Sequence, residues 1–148
     1  MNATNHPIRI LGLDPGLRKT GWGVVVIEGA RLTHVAHGVI APKDSLPFAE
    51  RLLVLFDAIA EVIALHAPHE AAVEETFMNT NPQSALKLGH ARACCLLAPA
   101  RAGLSVAEYA ATGAGGRPRC AAQDLVLGKD GFSHGQEGDG RKPAAITH

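Results

Sequence analysis

The stretch from Ile8 to Asp14 (IRILGLD) is an almost unbroken apolar run that ends on a carboxylate and is closed by Pro15-Gly16. A run of strand length without alternation suits a central strand buried on both faces, and the Pro-Gly pair ends it in a tight turn. Asp14 then sits where a rigid element meets a turn. It points into the crevice at the carboxyl end of the strand, where α/β sheets bind ligands. A bare D-P-G would more often supply a turn-capping Asp. Here the motif extends into LGLDPGLRKTGWGV, with Gly16 and Gly21 around a short basic turn and a new strand starting near Trp22.

The remaining order follows from changes of period. Gly21 to Glu28 is a β-branched run, Glu28-Gly29 turns the chain, and Arg31 to Ala41 is a third strand with looser alternation. Short turns make these three strands an antiparallel meander. From Phe48 the apolar residues fall at Leu52, Leu55, Phe56, Ile59 and Ile63, which is helical spacing. Ser45 and Pro47 signal the start and Ala67-Pro68 the stop. Ala71 to Glu75 predicts a fourth strand, parallel to the first by crossover logic. Asn81-Pro82 opens a second helix towards Ala102, with Gly103 as its cap and Pro99 as a point of kinking or early ending. Leu104 to Ala110 predicts a fifth strand. The order β-β-β-α-β-α-β is α/β with a mixed sheet.

With 148 residues, the chain can build one well-filled domain but not two. A hydrophobic content of 47% fits a globular protein. No apolar run reaches the roughly 20 residues that span a membrane. The start, MNATNHPIRI, lacks the basic and apolar regions of a signal peptide, so the expected location is cytoplasmic and away from membranes. Cys94, Cys95 and Cys120 form no CxxC pair and read as reduced thiols. Fourteen basic residues balance fourteen acidic ones. Neutrality argues mildly against nucleic acid, although a bound cation would add charge that the sequence does not count.

Glu74 and Glu75 end the fourth strand after Ala71, Ala72 and Val73. An acid inside a central sheet is costly unless it meets a cation. Adjacent strand residues point to opposite faces, so one of the two shares a face with Asp14. Two carboxylates on neighbouring strand ends suit Mg²⁺, a hard ion that prefers oxygen. Two such ions would activate water and stabilise the leaving oxygen of an in-line displacement at a phosphodiester.

The segments ILGLDPGLRKTGWGV, AAVEETFMNTNPQSALKLGHARA and LSVAEYAA occur in this order over about Ile8 to Thr112. Together they resemble the RuvC family of Holliday-junction resolvases. The resemblance implies an RNase H-like α/β fold, a mixed five-stranded sheet flanked by helices, in a nuclease domain over residues 1–112. It implies a homodimer that resolves four-way junction DNA by symmetric, Mg²⁺-dependent nicks in recombination and repair, alongside the RuvA–RuvB branch-migration complex. Asp14 matches the first catalytic acid of the family and Glu74 the second, while Phe77 matches an aromatic that stacks at the junction centre. The helix from Asn81 to Ala102, with small residues Ala85, Gly89, Ala91 and Ala93, matches the dimer-forming helix. Arg18, Lys19, Lys87 and Arg92 are candidates for phosphate contact along the DNA path. His90 and the Cys94-Cys95 pair lack ligand spacing and read as helix packing. YqgF-type resolvases share the early D-P-G turn but not the TFM…SALKLGHARA block, and actin-like sugar kinases open with a D-x-G phosphate loop but need a second lobe that 148 residues cannot supply.

The resemblance lapses after Thr112, where the last 36 residues hold eight of the 16 glycines and no apolar periodicity. The family carries its other two acids in a D-A-A-D-A motif before an ending like Ala145-Ile146-Thr147-His148. Counting back from His148 sets Glu137 at the first acid, Gly140 at the second and Asp139 between them. Glu137 and Asp139 are thus the candidates for the remaining metal ligands. Residues 113–148 are expected to be an aberrant, poorly ordered segment, from an altered reading frame or an internal deletion or replacement. Two readings stay open: an active junction endonuclease, and a junction-binding protein impaired in cutting.

Overall fold

The computed structural model describes residues 6–75 and 81–110. Seven elements follow in the expected order: β1 (Ile8–Asp14), β2 (Thr20–Glu28), β3 (Arg31–Ile40), α1 (Phe48–His66), β4 (Glu70–Glu75), α2 (Pro82–Arg101) and β5 (Ser105–Ala110). They form one five-stranded sheet in the order β3-β2-β1-β4-β5. β1, β2 and β3 pair antiparallel, and β1, β4 and β5 pair parallel. β1 is therefore central, which is why its sequence shows almost no alternation: Ile10 and Leu11, on opposite faces, are both buried.

β3 lies at the sheet edge, and the register with β2 shifts between Val24 and Val25. Val24 pairs with Ala36 and Val25 with His34, leaving Val35 as the extra residue of a bulge. Edge exposure and this bulge account for the loose alternation of its sequence.

One face of the sheet presents Leu11, Leu13, Trp22, Val24, Ala71 and Val73 to the helices. α1 meets it with Leu55, Ala58, Ile59 and Val62, a stripe at helical spacing. α2 contributes Ala91, Cys94, Cys95 and Ala98. Each large aliphatic side chain buried here contributes about 1.5–3 kcal/mol. The other face carries a smaller cluster of Ile10, Val25 and Ala72, with Ile27 and Tyr109 beside it.

The helix signals are met unequally. Pro47, not Ser45, occupies the α1 N-cap, and no side chain caps that end. The α1 stop falls as expected, with Ala67 in the left-handed region (φ 46°) before Pro68. At α2, Asn81 caps as its sequence suggests: its Oδ1 accepts from the backbone N–H of Gln83 (3.0 Å) and Ser84 (3.2 Å). Pro99 does not end the helix early. It falls in the last turn with only Ala100 and Arg101 after it, and its carbonyl accepts from Leu104 N–H as the chain leaves. Gly103 closes the helix with φ 81°.

Candidate active site

The site is assembled by strand register. β1 and β4 run parallel with Leu11 beside Ala71, Gly12 beside Ala72 and Leu13 beside Val73. One residue further, Asp14 and Glu74 continue as neighbours at the carboxyl ends of two adjacent strands. Alternation sets both on the face of Ile10 and Ala72, away from α1 and α2. Glu74 is 5% exposed and Asp14 half-buried, whereas Glu75 is exposed. The register thus selects Glu74, rather than Glu75, as the acid that joins Asp14.

That register is pinned at the opposite end of the strands. Arg9 N–H donates to His69 Nδ1 (2.9 Å), and His69 N–H donates to the Arg9 carbonyl (2.8 Å). A slip of one residue there would exchange Glu74 for Glu75 at the site. His69 was not singled out by its sequence, because a His after Ala-Pro carries no strand-pairing signal of its own.

The turn after Asp14 is as constrained as the strand. A Cβ at Gly16 would run into the Lys19 backbone carbonyl, so the turn closes only over glycine. Pro15 is buried and Thr20 is 1% exposed, which fixes the turn at both ends. Behind it, on the helix side, the Cys95 thiol is pushed up to about 12. Burial is the main cause, with Cys94 and the carboxylate of Asp14 adding to it and Arg92 opposing.

The donor set of the pair is all oxygen and all carboxylate, which fits a hard divalent cation and not a soft one. Two ligands are fewer than such an ion needs, and the described residues contain no group of three or more His, Cys, Asp or Glu that could hold a metal. The other candidate ligands, Glu137 and Asp139, lie outside the described residues, as do Phe77 and the whole segment 113–148.

The candidate DNA contacts separate. Arg18 and Lys87 are exposed and line one cleft beside the Asp14 turn. Lys19 is exposed on the same turn. Arg92 instead pairs with Glu108 of β5 on the helix side of the sheet. His90 is exposed, not packed inside. Its ring meets Phe48 edge-on at 5.7 Å, and its Nδ1 lies 2.6 Å from the Leu86 carbonyl. Cys94 and Cys95 are buried, as helix packing requires. Arg51, which nothing in its sequence context marked, joins α1 to the turn by donating to the Leu17 carbonyl (3.4 Å).

Known proteins give the same picture. The family model for crossover junction endodeoxyribonuclease RuvC matches residues 10–114. The crossover junction endodeoxyribonuclease RuvC of Caulobacter sp. (strain K31) is 70% identical over 109 residues, 74% of this chain and 64% of that protein. The Azorhizobium caulinodans protein of that name is 65% identical over 107 residues, 72% of this chain and 63% of its own length. The chain thus spans somewhat less than two thirds of these relatives. Among solved structures, T. thermophilus RuvC in complex with Holliday junction substrate superimposes with a TM-score of 0.65 at 31% identity, covering 70% of this chain and 66% of that one. The family match over most of the chain and the high identity to named relatives place it: the chain belongs to the RuvC family of crossover junction endodeoxyribonucleases.

Proposed function

We propose that the chain acts as a structure-specific endonuclease that resolves Holliday junctions by metal-dependent nicks during recombination and DNA repair. The observation that carries this reading is the pairing of Asp14 with the buried Glu74 on one sheet face, at the ends of adjacent parallel strands. Those carboxylates would hold Mg²⁺, two ions per subunit, with Glu137 and Asp139 as candidates for the remaining ligands. Bound Mg²⁺ supplies a nucleophile at neutral pH and stabilises charge on the leaving oxygen. The protein contributes rigidity: Asp14 is fixed by a central strand and a glycine-dependent turn, and Glu74 by a strand buried on both faces. Burial of Glu74 keeps bulk water from screening its charge.

Four-way junction DNA is the substrate and Phe77 the residue that stacks at its centre. Two copies would act together, since paired nicks need two sites. The outer face of α2 supports this, with Leu86 66% and Leu97 59% exposed three turns apart and Gly89 and Ala93 between them. The RuvA–RuvB complex would deliver the junction in the cytoplasm. Among the described residues no helix is long and apolar enough to cross a membrane.

The test is a labelled synthetic four-way junction incubated with the chain, with and without Mg²⁺. Symmetric nicks that need the ion are the expected result. Tight junction binding with no product would replace this reading with that of a binding protein lacking the C-terminal acids.

A further inference from the structure

Beside the Asp14 turn lies a shallow cleft open to solvent. It sits on the helix-covered side of the sheet, whereas Asp14 and Glu74 face the other side at the same sheet end. Phe48, Leu52 and Leu55 give it an apolar floor, and Arg18, Arg51 and Lys87 its charge. No acid lines it among the described residues. These three cations come from three separate elements: the β1–β2 turn, α1 and α2. Nothing in local sequence would gather them.

Arg51 is the most buried of the three. Its guanidinium reaches the Leu17 carbonyl and pairs with Asp44 at 3.3 Å, yet its Nε–H is buried without a hydrogen-bond partner. A guanidinium carries five donors, and leaving a buried one unmet is unfavourable. Asp44 is two-thirds exposed, so its hold on Arg51 is weak and screened by water. Lys87 lies over the Phe48 ring at 5.7 Å, which keeps its ammonium at the rim rather than free in solvent. An anion entering the cleft would meet convergent donors over an apolar floor, with one exchangeable carboxylate to displace.

We infer that this cleft binds a single backbone phosphodiester of the DNA, held jointly by Arg18, Arg51 and Lys87, as an anchoring site separate from the Asp14–Glu74 pair. The inference rests on the nuclease reading for its ligand but does not need the junction specificity. Because the β1–β2 turn both follows Asp14 and carries Arg18, a phosphate bound here ties the position of the strand to that of the catalytic acid.

The experiment is the salt dependence of DNA binding in metal-free buffer, for a synthetic four-way junction and for a plain duplex. The variants are the double R18A/K87A, Asp44→Asn, and Arg31→Ala as a control at the opposite end of the sheet. Arg18 and Lys87 are exposed, so the double variant keeps its fold, which its thermal midpoint verifies. With Arg18 and Lys87 gone, Arg51 is left neutralised by Asp44, so the shared phosphate is released and the double variant should lose about one unit of the slope of log K against log salt, not two. Asp44→Asn should bind DNA more tightly, and Arg31→Ala should match the wild type. An unchanged slope in the double variant, or a loss of two units, overturns the shared site. Weaker binding by Asp44→Asn also overturns it, since the Arg51–Asp44 pair would then only brace the turn. If inorganic phosphate raises the thermal midpoint of the wild type but not of the double variant while the DNA slope stays put, the cleft takes a free anion, and the assignment to DNA fails. A one-unit loss on duplex and junction alike, with no preference for the junction, would leave the cleft standing and refute the junction reading instead.

Discussion

At Glu74 a carboxylate lies almost wholly out of water on a sheet face it shares with Asp14. In the proposed metal site such a group would act through its charge, which a glutamine of nearly the same shape would lack. Glu74→Gln should therefore lower Mg²⁺-dependent nicking of a four-way junction at least about a hundredfold, the upper range for losing a partner that merely orients a metal ligand. Junction binding in metal-free buffer should persist, since phosphate contacts carry it. Loss of binding and nicking together would make Glu74 a structural residue. Cys95 makes a different prediction. Its thiol is pushed up to about 12 from 9.0, mainly by burial. Between those values the unfolded chain releases the proton and the native chain keeps it. Fewer protons are then bound on unfolding, so stability is full below 9 and falls as pH rises through that window. Urea unfolding at about pH 8 and about pH 10 should show the wild type losing more stability than Cys95→Ala, narrowing the gap between them. A gap that stays constant would mean that the thiol ionises freely in the fold.

At the scale of elements, the edge pair β2–β3 depends on one missing side chain. Gly38 faces Trp22 across the strands, and a Cβ there would stand 2.8 Å from the indole Cζ2 and Nε1. Trp22 is 4% exposed and packs tilted against His66, with ring centres 5.5 Å apart, so the indole has nowhere to retreat. Gly38→Ala should cost about 1–3 kcal/mol, the range for overpacking a filled site, read as a lower urea midpoint with an unchanged slope. An unaltered midpoint would show that β3, at the edge, shifts to make room. The same strand pair shows why alternation read loosely in β3: the bulge at Val35 moves every later residue by one, which no window along a single strand can register.

For the whole molecule, the RNase H-like sheet buries one face under α1 and α2 and sets the acid pair on the other. The outer surface of α2 still carries Leu86 and Leu97 largely in water. If that surface joins two copies, the wild type should sediment as a dimer at micromolar concentration and Leu86→Glu as a monomer with an unchanged thermal midpoint. A wild type that sediments as a monomer throughout would remove the basis for paired nicks by one assembly. The division between what was and was not legible follows the range of each interaction. Seven elements, the strand-end position of Asp14 and the capping by Asn81 came from the sequence, because hydrophobic period, turn chemistry and caps are set by residues a few positions apart. The family segments added Glu74 as the partner of Asp14. That these two acids meet on one face is a matter of register between strands almost sixty residues apart, pinned by Arg9 and His69. Likewise, Arg92 turns to Glu108 while Arg51 joins Arg18 and Lys87, because packing brings three elements together and assigns each cation its neighbours. Local sequence determined which residues could carry the chemistry. Long-range pairing and packing, which no local period encodes, decided which of them stand together.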